Sequence, residues 1–257
     1  MRASTQEVVT HLFLILCCFG ISINVHAAEV GCERPLTVLV SDQFPPFSER
    51  SEDGSFKGLD IDIIQTVMET AGCEFKFVVV PWKRGILMLA EGKLDFVAFA
   101  SITPERREFA NFTAPYRHER IRLITLSNRA NAIQIAELKD LARSNLVIGN
   151  SSGTYRGEEF AAFEVAHKSS GHLVDIPSST HGIQMLLSSR IDALVADQSV
   201  AFAIAEGLGV RSQLTANPYK VFDNPVYLMA SRKSVSPATL QRINSALEKT
   251  VDADVYN

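Results

Sequence analysis

The chain has 257 residues, 46% of them hydrophobic and 21% charged, enough apolar material for one large or two small cores. That balance excludes disorder. The formal charge of -4, with no run of Lys or Arg, excludes a nucleic-acid surface and an anionic membrane face and leaves small molecules as partners.

The apolar stretch over 12–23, followed by Asn24, Val25, His26, Ala27 and Ala28, reads as the h-region and cleavage site of a signal peptide over 1–28. Cleavage there places the mature chain in the periplasm; an uncleaved anchor is the alternative, because Arg2 is offset by Glu7. No later apolar run reaches the ~18 residues that span a bilayer. Cys17 and Cys18 leave with the signal, and Leu16 before Cys17 argues against a lipid-anchored cysteine. Cys32 and Cys73 remain, each just before a strand. In an oxidising compartment they read as a disulfide, with two buried free thiols as the alternative. If the two strands are parallel neighbours, both thiols sit at one end of the sheet, and the bridge adds roughly 3 to 4 kcal/mol in the chain-entropy model.

Strands and helices alternate from there on, as in βαβ units. A buried strand is expected over 36–40, then a polar loop to Lys57, a helix from Leu59 that stops at Gly72, and a strand over 75–80. Pro81 opens a helix over 82–90, a third strand follows over 94–99, and Thr103-Pro104-Glu105-Arg106 reads as N-cap, N1, N2 and N3 of a helix. Beyond an extended run at 121–126, helices are expected over 136–142, 155–166, 180–188 and 199–206, with strands over 146–149 and 193–196. An extended run over 226–230 and a helix from Pro237 to about Val251 close the chain. Extended crossings at 118–126 and 222–230 divide it into a discontinuous first lobe, 29–120 plus 224–257, and a second lobe, 121–223. Clefts at such junctions are preferred ligand sites.

Several residues could carry function. The helix start after Ser101 and Thr103 offers an anion free N–H groups, two hydroxyls and the Arg106 fork; ordinary capping with a surface Arg106 is the alternative. Asp197 ends the apolar strand, where open α/β sheets bind ligands, and suits an ammonium group; capping the next helix is its other reading. Phe44 and Trp82 offer aromatic planes for a ligand, or core packing. Gly149-Asn150-Ser151-Ser152-Gly153 fits the G-x-S-x-G elbow of a hydrolase, but the acid and histidine would have to be Asp175 and His181 within one short unit. The same segment serves as a loop whose N–H groups and Thr154 hydroxyl meet an anion. Neither a metal site nor a cofactor is implied, since the histidines lack ligand spacing.

Five motifs in order resemble the family 3 extracellular solute-binding proteins of polar amino-acid ABC transporters. They are Phe44-Pro45-Pro46-Phe47, Gly58-Leu59-Asp60-Ile61-Asp62, Gly92-Lys93-Leu94-Asp95, Ser101 through Arg106, and Phe112-Thr113-Ala114-Pro115-Tyr116. Ser152-Gly153-Thr154 and the run from Ile191 to Asp197 agree more loosely. The resemblance implies a two-lobed α/β periplasmic-binding-protein type II fold with two hinge crossings that closes on its ligand. It implies that Arg106 and the Gly153-Thr154 loop hold an α-carboxylate, Asp197 the α-ammonium, and Phe44 and Trp82 the side chain, with Ser101 and Thr103 as polar neighbours. Asp60 and Asp62 would cap or support the first helix. Ala98-Phe99-Ala100 replaces the usual Gly- or Ser-rich approach. Ser41 stands where cation-selective relatives carry an acid, which disfavours lysine or arginine as ligand.

The expected protein is therefore a monomeric, non-enzymatic periplasmic binder that delivers an amino acid or related small carboxylate to an ABC-transporter permease. The competing readings are an enzyme on the same scaffold, either a small-acid dehydratase or a Ser151 hydrolase, and a ligand-sensing accessory subunit of a signalling system.

Overall fold

A computed structural model describes residues 31–251 apart from Ser152, Gly153 and Lys168. The expected signal peptide over 1–28 and the candidate Gly153 lie outside the described residues. The apolar run at the start of the mature chain forms β1 (Leu36–Leu39), parallel to β5 (Phe75–Val78) with Leu36 opposite Phe75, and to β6 (Phe96–Ala100) with Val38 opposite Phe96. Between β1 and β5 runs α1 (Leu59–Thr70), whose Ile61, Ile64 and Met68 recur at helical spacing and are fully buried. The helix ends as expected. Gly72 takes φ 66°, and the N–H of Cys73 reaches back to the Met68 carbonyl. Cys32 and Cys73 are joined in a disulfide, Cα to Cα 4.8 Å, at the shared end of the parallel neighbours β1 and β5.

The polar stretch expected as a loop up to Lys57 is instead a small antiparallel sheet of β2 (Gln43–Phe44), β3 (Ser48–Arg50) and β4 (Phe56–Lys57). Then follow α2 (Trp82–Glu91), β6, α3 (Pro104–Phe109) and the unanticipated β7 (Ala110–Phe112). Residues 118–126 belong to β8 (Arg117–Leu126). Residues 222–230 belong to β12 (Leu214–Ser231), an 18-residue strand. The two pair antiparallel from Leu126 opposite Leu214 to Arg117 opposite Val226, and β12 continues onward to pair with β6 and β7.

The second sheet adds β9 (Ile148–Asn150), β10 (Leu173–Asp175) and β11 (Ala193–Asp197) to β8, in the order β10-β9-β11-β8-β12. Its helices are α4 (Leu138–Arg143), α5 (Glu158–His167), α6 (Ser179–Leu187) and α7 (Gln198–Gly207), and α8 (Pro237–Thr250) returns to pack on α1. The helix expected from residue 155 begins at Glu158 because Gly157 holds φ 87°, a turn that L side chains resist. Each of the two large sheets is covered on both faces. Alternate residues of β11 show it: Leu194 packs with Ile183, Leu186 and Val200, while Val195 packs with Ile121, Leu138 and Phe160. The first sheet likewise lies between Ile64, Leu228 and Ile243 on one face and Leu89, Val97 and Met229 on the other. The architecture is a two-lobed α/β fold, as the sequence leads one to expect.

Candidate functional site

A cavity of about 530 Å³ opens where the C-terminal ends of β1 and β6 meet β8, the segment after β9, and the end of β11. Small-molecule sites fall in this size range. Phe44, Trp82, Ser101, Arg106, Thr154 and Asp197 all line it, so six of the eight residues singled out from sequence meet in one place. Thr103 is buried but is not among the lining residues: its Oγ1 accepts the Arg106 N–H at 3.2 Å, the N-cap bond of α3. Gly153 lies outside the described residues.

Arg106 leaves the third position of α3 half-buried. Its Nη1 donates to the Ser101 carbonyl at 2.7 Å, and the guanidinium lies 5.5 Å from the centre of the Trp82 ring. Burial pulls its pKa down, against the opposing pull of Glu119 and Glu105, yet a guanidinium stays charged in a protein. Ser101 donates its hydroxyl to Glu119 Oε1 at 2.9 Å. Thr154 is turned back on its own loop, donating to the Ser151 carbonyl at 2.7 Å.

Asp197 combines its two readings. Oδ1 accepts the N–H groups of Ser199 and Val200 at 2.9 and 3.2 Å as the cap of α7, and Oδ2 accepts the Arg120 N–H at 3.0 Å across the sheet. The carboxylate is thus held in one orientation on the cavity wall, with lone pairs left for a cation.

The aromatic wall is larger than expected. Phe99 lies between the two predicted rings, 5.3 Å from Phe44 and 6.0 Å, stacked, from Trp82. Its backbone sits at φ 48°, where a side chain costs roughly 1–2 kcal/mol, and its N–H donates to the Tyr116 hydroxyl at 2.8 Å. Strain of this kind concentrates at functional sites.

Sequence reasoning missed Arg117, Glu119 and Arg156. Arg117 is locked to Asp60, with Nε to Oδ1 at 2.7 Å and Nη2 to Oδ2 at 3.1 Å, and lies 3.9 Å over the Phe47 ring. Burial lowers the Arg117 pKa, but contact with Asp60 outweighs it and the net direction is up. Asp60 therefore does not cap α1, whose N-cap is Gly58; it anchors the cavity wall. Burial pushes the Glu119 carboxyl up, opposed by Arg156, the Ser101 bond and Arg117 and reinforced by Asp197. Arg156 reaches Asn150 Oδ1 through Nε at 3.5 Å. Three carboxylates, Asp42, Glu119 and Asp197, thus face three guanidinium groups, Arg106, Arg117 and Arg156. Such a site suits a zwitterion held at both ends, with aromatic planes for its apolar part.

The hydrolase reading finds no support in this geometry. Ser151 lines the cavity, but His181 is exposed on α6 and is not among the lining residues. Among the described residues no group of three or more His, Cys, Asp or Glu could hold a metal ion.

Two covered sheets joined by a pair of long strands, with a charged and aromatic cleft at the junction, define a periplasmic-binding-protein fold. The model for bacterial extracellular solute-binding proteins, family 3, matches residues 36–257, and the chain belongs to that family. It is similar to a probable histidine-binding protein of Campylobacter jejuni, 29% identical over 75% of this chain and 71% of its relative. It is also similar to a cyclohexadienyl dehydratase of Pseudomonas aeruginosa, 26% identical over 73% and 70%. Among solved structures, the arginine-bound form of truncated ArgBP from T. maritima matches with a TM-score of 0.68 at 23% identity, covering 83% of this chain and 95% of that one. That likeness concerns the fold.

Proposed function

We propose that the protein captures an amino acid or a closely related small carboxylate in this cleft and hands it to the permease of an ABC transporter. The observation that carries the reading is Arg106: a guanidinium facing the cavity, with one donor spent on the Ser101 carbonyl and an aromatic ring beside it. The ligand's carboxylate docks on Arg106 and its ammonium on Asp197, whose carboxylate is pre-oriented by three backbone N–H groups. Closure follows from differential binding, since a ligand touching both sides stabilises the closed state over the open one. Among the described residues β8 and β12 are the long connections this requires to bend, and in this reading the lobes are 29–120 with 224–257, and 121–223. In this reading the chain is exported through cleavage near residue 28 and acts as a monomer in the periplasm.

A second reading is favoured by one relative and one residue. One relative, 26% identical, carries the name of a dehydratase, and Glu119, a carboxyl pushed up by burial in the cleft, has the character of a general acid. A thermal-shift panel of amino acids and dicarboxylates, followed by NMR of each stabilising compound after long incubation, separates the two. Binding without turnover at 100 times the dissociation constant adds about 2.7 kcal/mol of stability and returns the compound unchanged. Loss of water from it establishes the enzyme.

A further inference from the structure

The three guanidinium groups on the cavity wall differ in how fully they are occupied. Arg117 is committed, with Nε and Nη2 on Asp60 and Nη1 turned to the His118 carbonyl at 3.4 Å. Arg106 and Arg156 are not. Arg106, on the side of the first sheet, spends one donor on the Ser101 carbonyl. Arg156, on the side of the second, makes one hydrogen bond among the described residues, at the outer limit of bonding distance, Nε to Asn150 Oδ1 at 3.5 Å. Among the described residues neither forms a salt bridge. A guanidinium carries five N–H donors, and a half-buried one with no anion at hydrogen-bonding distance is a group that a ligand anion satisfies.

The backbone beside Arg156 is fixed by its packing. Gly157, at φ 87°, turns the chain immediately after it, and a Cβ there would meet the Phe222 ring at 2.9 Å, so the backbone beside Arg156 packs closely against β12. Glu119, Asp197 and Glu164 act on Arg156 through space, but none of them lies within ion-pair distance of it. The cleft therefore presents two guanidinium forks without an ion-pair partner among the described residues, Arg106 and Arg156, with Glu119 and Asp197 lining the same cavity for a positive group.

We propose that the cleft selects a small zwitterion bearing two anionic groups, an α-amino dicarboxylate being the simplest, with one anion on Arg106 and the second on Arg156. The proposal rests on the amino-acid-binding reading and narrows it. Asp42 at the same wall makes a cationic amino acid the chemical rival.

Isothermal titration of the purified protein with glutamate, aspartate, glutamine, asparagine, arginine, histidine and succinate tests it. An acid binds about tenfold or more tightly than its amide, because the amide leaves a fork of Arg156 unpaired. Arg156→Gln then weakens the acid about thirtyfold while the amide changes by less than about threefold, and Arg156→Lys recovers part of the loss. An amide or arginine binding more tightly than the acids overturns this inference alone, as does an Arg156→Gln variant that weakens acid and amide equally. Thermal unfolding of each variant shows whether such a loss comes from misfolding, and the wild-type ranking stands without them. Failure of every compound to bind overturns the amino-acid reading together with this one.

Discussion

Arg117 and Asp60 form an ion pair with side chains 2% and 0% exposed, joining β8 at the cavity wall to the first turn of α1. The Tyr116 hydroxyl donates to the same carboxylate at 3.2 Å while accepting the N–H of Phe99, so one buried carboxylate fixes both a charged and an aromatic part of the cleft. Asp60→Asn leaves the guanidinium buried without its counter-charge and should cost about 3–5 kcal/mol of stability. Replacing both partners with apolar residues of similar size should cost less than either single change. Urea unfolding of the three variants measures this, and a loss under about 1 kcal/mol for Asp60→Asn would show the pair to be dispensable.

Phe99 gives a backbone test. At φ 48° a glycine is unstrained and an alanine is not, so Phe99→Gly should be more stable than Phe99→Ala by about 1 kcal/mol, the reverse of the usual order. Both should lose ligand affinity, since both remove the ring between Phe44 and Trp82. Equal stability of the two variants would mean that the left-handed conformation is not populated in solution.

Much of this was legible in the chain, and the parts that were not share a physical cause. Where an element was long and periodic, as in α1 with Ile61, Ile64 and Met68, or carried a capping signal, as at Thr103-Pro104, its type was readable. Strands of two or three residues, such as β2, β7 and β10, are too short to show a period and become strands only through their partners. At the site, the long extended run hid a period of two. Arg117, Glu119 and Ile121 line the cavity, whereas His118, Arg120 and Arg122 line a second hollow of about 410 Å³ that Glu119 also borders, so the alternation sorts all these side chains but Glu119 between two faces of β8. Reading that alternation would have drawn Arg117 and Glu119 into the candidate set. Arg156 had no such signal; its position depends on the left-handed turn at Gly157.

Asp95, from the Gly92-Lys93-Leu94-Asp95 motif, links stability to pH. Its Oδ2 accepts the Thr37 N–H at 2.8 Å, and Arg34 bonds both oxygens. Burial raises its pKa, but the bonds from Arg34, Ser234 and Thr37 outweigh it and the net direction is down. A carboxyl depressed in the folded state adds stability above its unfolded pKa of about 3.9 and loses it as pH falls through the folded value. Wild type should thus exceed Asp95→Asn by roughly 1.5–3 kcal/mol near neutral pH, and the gap should shrink below about pH 4. A gap that persists unchanged at pH 2 would assign the effect to packing instead of charge.

The Cys32–Cys73 bridge closes a span of 41 residues. Replacing both cysteines with alanine should remove about 4 kcal/mol in the chain-entropy model. Calorimetric unfolding under oxidising conditions checks the figure, and ligand affinity should be little changed, because neither cysteine lines the cavity. A variant as stable as wild type would mean that the unfolded chain is already compact around this loop.

The proposed grip of Arg106 on a ligand carboxylate is tested most directly by a double-mutant cycle. The tightest-binding amino acid and its α-carboxamide are titrated calorimetrically into wild type and Arg106→Gln. If Arg106 holds the α-carboxylate in the cleft, the carboxamide loses affinity in wild type, the loss vanishes in the variant, and the coupling is about 2–5 kcal/mol. A coupling below about 0.5 kcal/mol would contradict the account by showing that Arg106 and the ligand's carboxylate act independently.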